Sequence, residues 1–158
     1  MRRFAIVVVL ALAATLPGCK AQPGGSGAAP AVHAVSGLAV IPLTITHAGQ
    51  VHRFRVELAK SADEQRRGLM FRTSLGPDEG MLFPFEPPRP ASFWMRNTVI
   101  GLDLLFIAPD GRIANIAANA KPYDETKLDS VGPASAVLEL SAGRAAALGI
   151  VPGDAATW

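Results

Sequence analysis

Leu102-Asp103-Leu104-Leu105-Phe106-Ile107-Ala108-Pro109-Asp110-Gly111-Arg112-Ile113-Ala114-Asn115-Ile116-Ala117 is the clearest hairpin in the chain. Two apolar runs flank Pro109-Asp110-Gly111, where Pro presets the first turn angle and Gly supplies the positive φ of a tight turn. Strands are therefore expected over 102–108 and 112–117. Upstream, Ile41, Leu43 and Ile45 alternate with Pro42, Thr44 and Thr46, and Arg53 to Leu58 alternates again. That period of two, broken by His47-Ala48-Gly49-Gln50, predicts a second hairpin turning around Gly49. Met81 to Phe85 and Ser92 to Met95 read as two short strands separated by Pro87-Pro88-Arg89-Pro90, and Ala136 to Leu140 as another. Ser61-Ala62-Asp63-Glu64 is a capping box, which predicts a helix over 62–67 closed by Gly68. Ala-rich Ser141 to Leu148, closed by Gly149, predicts a second, and Gly153-Asp154 is a turn before the last residues. About seven short strands with two short helices make a mainly β domain, a β-sandwich or a partly closed barrel.

The chain of 158 residues is 49% hydrophobic and 18% charged, the composition of one globular domain. Lys and Arg number 15 against 13 Asp and Glu. Arg2 and Arg3 precede the apolar run Phe4 to Leu16; without them the charge balances at zero. Nothing in the charge supports a nucleic-acid partner, which needs clustered Lys and Arg.

Residues 1–18 read as a signal peptide, with a basic start, an apolar stretch and the closing Leu16-Pro17-Gly18-Cys19. Thirteen apolar residues rise about 20 Å as a helix, short of the roughly 30 Å bilayer core. Leu16-Pro17-Gly18-Cys19 resembles the bacterial lipobox, although Pro17 is an unusual occupant. The resemblance implies a diacylglycerol on Cys19 and an anchor in the cell envelope, facing the periplasm. The alternative is a plain secreted protein cut later, with Cys19 incidental. Lys20 is not the Asp that retains lipoproteins at the inner membrane, which favours the outer one. Cys19 is the only cysteine, so lipidation leaves no thiol for disulfides or catalysis. Lys20 to Gly37, without aromatics or periodicity, reads as a flexible tether of about 24 Å reach. The domain is then expected over 38–158, and His33 in the tether has no role.

Five motifs follow in order: Gly68-Leu69-Met70-Phe71-Arg72, Gly80-Met81-Leu82-Phe83-Pro84-Phe85, Phe93-Trp94-Met95-Arg96-Asn97-Thr98, Leu102 to Ile107, and Val137 to Gly143 with Gly153-Asp154. Over about Val51 to Asp154 the chain resembles the domain of unknown function 192 family. The resemblance implies a compact, mainly β, sandwich-like fold and brings no assigned activity. The chain departs from the family pattern at Gly101, where Pro is usual.

Residues able to carry chemistry are few. His47 and His52 flank a turn without a third ligand nearby, so neither a metal nor another cofactor is expected. There is no Gly-x-Ser-x-Gly elbow, and the Gly-rich Pro23 to Gly27 has no strand before it or helix after it. Asp103 and Glu139 stand among apolar residues, where a carboxylate is costly unless paired or used, and Arg66, Arg72 and Arg96 are the available partners. A ligand pocket is the functional reading. Trp94 would offer a platform, Asn97 and Thr98 hydrogen bonds, and Arg72, Asp103 and Glu139 polarity. The expected function is an envelope lipoprotein binding a small molecule or an envelope protein. The alternatives are a hydrolase of an envelope polymer using Asp103 and Glu139 as acid and base, and a structural accessory subunit.

Overall fold

The computed structural model describes residues 31–158; the signal segment, Cys19 and the start of the expected tether lie outside them. The elements are β1 (Val40–His47), β2 (Gln50–Leu58), α1 (Ala62–Arg67), β3 (Glu79–Phe93), β4 (Leu102–Ile107), β5 (Ile113–Ala120), β6 (Leu128–Ser141), α2 (Arg144–Ala147) and β7 (Ala155–Thr157). The strands form one sheet in the order β5-β4-β6-β3-β2-β1-β7. It is curled into a half-barrel. Its two edges meet at one corner, where Ala155 bridges Arg112 and the Ala156 N–H donates to the Gly111 carbonyl at 2.8 Å. Of the two expected architectures this is the partly closed barrel. The closing strand β7 was not legible in the sequence because it is only three residues long.

Curling follows from the apolar pattern. All seven strands send residues inward to one cluster that includes Leu43, Phe54, Leu82, Leu105, Ile113, Leu138 and Ala156. A second cluster, with Met81, Phe83, Leu104, Phe106 and Val137, covers the outer face beneath the loops after β2 and β3. Strand β4 is buried along its whole length and separates the two, which is why its sequence runs apolar without alternation.

Both expected hairpins form. Ala48 and Gly49 have φ of 46° and 81°, and His47 pairs with Gln50 across them. Such paired positive φ values suit the twist of a two-residue hairpin. At the other hairpin Gly111, at φ 78°, donates to the Ala108 carbonyl at 2.9 Å. The capping box is present: Ser61 Oγ accepts from the Glu64 N–H, and Glu64 Oε2 accepts from the Ser61 N–H.

Two expectations need correction. Met81–Phe85 and Ser92–Met95 are not separate strands: β3 runs from Glu79 to Phe93 beside β6, with register breaks between Pro84 and Arg89 and between Pro90 and Ser92. Missing proline N–H groups interrupt the ladder without ending it. The ordered domain also begins before Leu38. The Val40 N–H donates to the Ala31 carbonyl at 2.6 Å, and Val32 bridges Ala39, so residues 31–37 fold as a turn against the barrel.

One glycine fixes the sheet. A Cβ on Gly80 would stand 2.6 Å from the Glu139 carbonyl oxygen, so only hydrogen lets β3 lie this close to β6. The same contact places Glu139.

A cleft floored by a buried glutamic acid

On β6, Leu138 and Leu140 point into the barrel, so Glu139 between them points outward, beneath the second apolar cluster. Its cross-strand neighbours are Met81 on β3 and Leu104 on β4. The side chain is 5% exposed, and Oε2 is buried without a hydrogen-bond partner. Burial alone pushes its carboxyl up to about 8, so at neutral pH it is an uncharged acid carrying a proton to donate.

Above Glu139 lies a cleft of about 360 Å³, walled by Leu69, Phe83, Phe85 and Phe93 and rimmed by Arg66, Arg67, Arg89 and Trp94. Phe83 and Phe85 reach it because alternation along β3 sends them outward while Leu82 goes in. Phe93 stands edge-on to Phe83, ring centroids 5.2 Å apart. Helix α1 forms one wall, pinned by Gln65, whose Nε2 donates to the carbonyls of Ala59 and Pro84 at 3.2 and 2.9 Å. Gly68 ends the helix at φ 46°, and a Cβ there would stand 3.3 Å from the Phe83 ring, so a side chain would crowd the cleft wall.

Of the six residues expected in a pocket, three meet here: Trp94, Thr98 and Glu139 line one cleft. Trp94 is 47% exposed and lies under the Arg96 guanidinium, 4.1 Å from the ring centroid. Thr98 is buried and donates from Oγ1 to the Arg96 carbonyl at 3.3 Å. Asn97 does not line the cleft; at φ 54° it shapes the neighbouring turn, where its carbonyl accepts from the Phe71 N–H at 2.8 Å.

Arg72 belongs elsewhere as well. Its guanidinium meets Glu57 at 2.7 Å on the same face of the sheet, and His33 Nδ1 approaches the other Glu57 oxygen at 3.6 Å. Arg96 pairs with Glu125, and Arg66 with Asp63. The expected partnership of these arginines with Asp103 and Glu139 therefore does not form.

Asp103 lies on the inner face and is fully buried. Its carboxylate accepts from the backbone N–H groups of Asn119, Gly143 and Ala145 at 2.8, 3.0 and 2.9 Å. It thereby caps α2 from a distance and ties that helix to the end of β5. Asp103 has a structural partner on every side and takes no part in the cleft. The acid and base pair considered for a hydrolase is not assembled, since Asp103 and Glu139 face opposite sides of one sheet.

Sequence reasoning missed Glu57, because Arg53-Phe54-Arg55-Val56-Glu57 looks like a wet face alternating with a dry one. It also missed Phe83, Phe85 and Phe93 as walls, for which apolar composition is the only signal. At the first hairpin His47 Nδ1 lies 3.0 Å from Asp154 Oδ2 and ties β1 to the final turn. Among the described residues no three His, Cys, Asp or Glu side chains gather where they could hold a metal ion.

Comparison with known proteins agrees with this architecture. The family model DUF192, described as Uncharacterized ACR, matches residues 43–158. A solved protein of unknown function from Novosphingobium aromaticivorans DSM 12444 is 56% identical, with a TM-score of 0.81 over 87% of this chain and 99% of its own. A protein from Sinorhizobium meliloti 1021, called a "putative transcription regulator", is 44% identical, with a TM-score of 0.74 over 76% of this chain and 94% of its own. No curated protein matches the chain.

Proposed function

The chain belongs to the DUF192 family, and from that premise we propose that it is an envelope lipoprotein, anchored through Cys19, whose barrel holds a small molecule in the cleft above Glu139. One observation carries the binding half of this reading: a carboxylic acid buried without a partner at the floor of an aromatic-walled cleft. Leaving a buried polar group unsatisfied costs about 1–3 kcal/mol, and a bound molecule removes that cost by supplying the missing partner. A purely structural acid would be paired as Asp103 is. The anchoring half rests on Leu16-Pro17-Gly18-Cys19 and the apolar run before it, which lie outside the described residues.

The transcription regulation named in one relative's description finds little in this chain's charge, which balances at zero once Arg2 and Arg3 are set aside.

Native mass spectrometry of the full chain, released gently from its own envelope, tests the binding half. A bound mass is expected on the wild type and should be missing from Ser92→Trp, which fills the cleft from its rim. Bare wild-type protein, or the same mass on both, would overturn the reading.

A further inference from the structure

Resting on that reading and deepening it, we infer that the cleft takes a small organic anion with an apolar body, its anionic group held by Arg67 and Arg89 at the mouth and an acceptor at its buried end facing the Glu139 carboxyl. Charge at the mouth decides the sign. Arg66 is matched by Asp63, and Glu64 is occupied at the helix cap. Arg67 and Arg89 line the same opening, and among the described residues neither has a carboxylate within ion-pair distance. The Arg89 guanidinium lies 4.1 Å from the Phe85 ring centroid, a stacked position that leaves its donor edge free for a planar carboxylate.

The floor agrees with the mouth. A neutral carboxyl donates a hydrogen bond, so it suits a carbonyl, ether or hydroxyl oxygen on the ligand. A cationic ligand would have to pass two guanidiniums and draw the proton off Glu139. Between mouth and floor the walls are phenyl rings, which suit a flat or aliphatic body, and about 360 Å³ is the small end of the range for organic ligands.

Glu139 also makes binding depend on pH. The charged groups facing it are Arg66 and Arg67 from the α1 side and Arg89 from β3, with Asp63 and Glu64 on α1 beyond them. Glu57, with Arg72 and His33, lies two strands away along the same face. Among the described residues no His, Lys, Cys or Tyr lines the cleft, so a change between pH 7 and 9 is assigned to Glu139. Losing its proton puts a negative charge opposite the bound anion, and affinity falls.

Titration calorimetry of the full chain with benzoate, benzyl alcohol and benzylamine, each carrying a para-acetyl group as its buried-end acceptor and named below by its parent, tests this. Benzoate should bind most tightly of the three and weaken by roughly tenfold from pH 7 to pH 9, as expected when only the protonated acid accepts it. In Glu139→Gln that fall should disappear. Arg67→Gln with Arg89→Gln, both exposed, should cost benzoate about tenfold and benzyl alcohol little. Tighter binding of benzylamine than of benzoate would overturn the anion assignment while leaving the cleft a binding site. Benzoate binding that neither the arginine pair nor Glu139→Gln alters would also overturn it, by placing the anion elsewhere. Failure of all three probes, together with bare protein in the mass spectrum, would overturn the parent reading.

Discussion

Asp103 and Glu139 lie on adjacent strands one step out of register, Asp103 opposite Leu140 and Glu139 opposite Leu104, and so face opposite sides of the same sheet. One residue of register separates an acid with three backbone donors from an acid whose Oε2 has none. The first holds the fold together, and the second lies unpaired at the floor of the cleft.

Asp103→Asn should destabilise the domain by about 2–4 kcal/mol, because an amide sets its own N–H groups against the backbone donors and removes the charge they surround. Chemical denaturation at neutral pH measures it. An unchanged midpoint would contradict the capping role.

Glu139→Gln should act in the opposite direction, and increasingly so with pH. The folded carboxyl titrates at about 8 and the unfolded one near its ordinary value of 4.5, so between these values the folded state binds the extra proton. The stability that the protonated group contributes is complete below about pH 4.5 and is lost as pH rises to about 8, by up to a few kcal/mol. Gln does not titrate. The variant and the wild type should have similar melting temperatures at pH 5, with the variant higher at pH 8 and above; parallel curves would contradict the burial of an unpaired acid.

Gly80→Ala should cost about 1–3 kcal/mol or block folding, because the atom nearest the added methyl is a backbone carbonyl oxygen of β6, which cannot swing aside as a side chain can. Gly132→Ala is a control for positive φ without a contact, since nothing lies within 4 Å of a Cβ there. The two variants should differ most in how far β3 and β6 amides lose protection from hydrogen exchange.

Much of this was legible from residue order. Hairpin turns, the capping box and the mainly β class each rest on contacts within a few residues, which a sequence displays directly. Trp94 and Thr98 were readable as a shift from apolar to polar residues, and Glu139 as an acid in apolar company. What the sequence withheld depends on register and distant pairing. Asp103 and Glu139 look alike in their flanks, and only strand alignment assigns them to opposite faces. Arg72 has an acid of its own in Glu57, fifteen positions upstream and disguised by alternation. β3 survives its prolines because β6 lies alongside it.

Removing residues 31–37 should lower stability by about 1–2 kcal/mol, since it takes His33 away from Glu57 and the Ala31 carbonyl away from β1. Thermal unfolding of the truncated and full chains shows the difference; equal midpoints would return this segment to the tether.

Cys19→Ser should abolish incorporation of labelled palmitate and shift the protein from membrane to soluble fractions. Wild-type protein that takes up no fatty acid and fractionates as soluble would contradict the anchor.

The most direct measurement is the pH titration of the Glu139 side-chain carboxyl carbon by NMR, run with and without benzoate. A neutral acid flooring an anion site should titrate near 8 when empty and move higher with benzoate bound, because the anion favours the protonated form. A midpoint in the ordinary carboxylate range, or one near 8 that benzoate leaves in place, would contradict it.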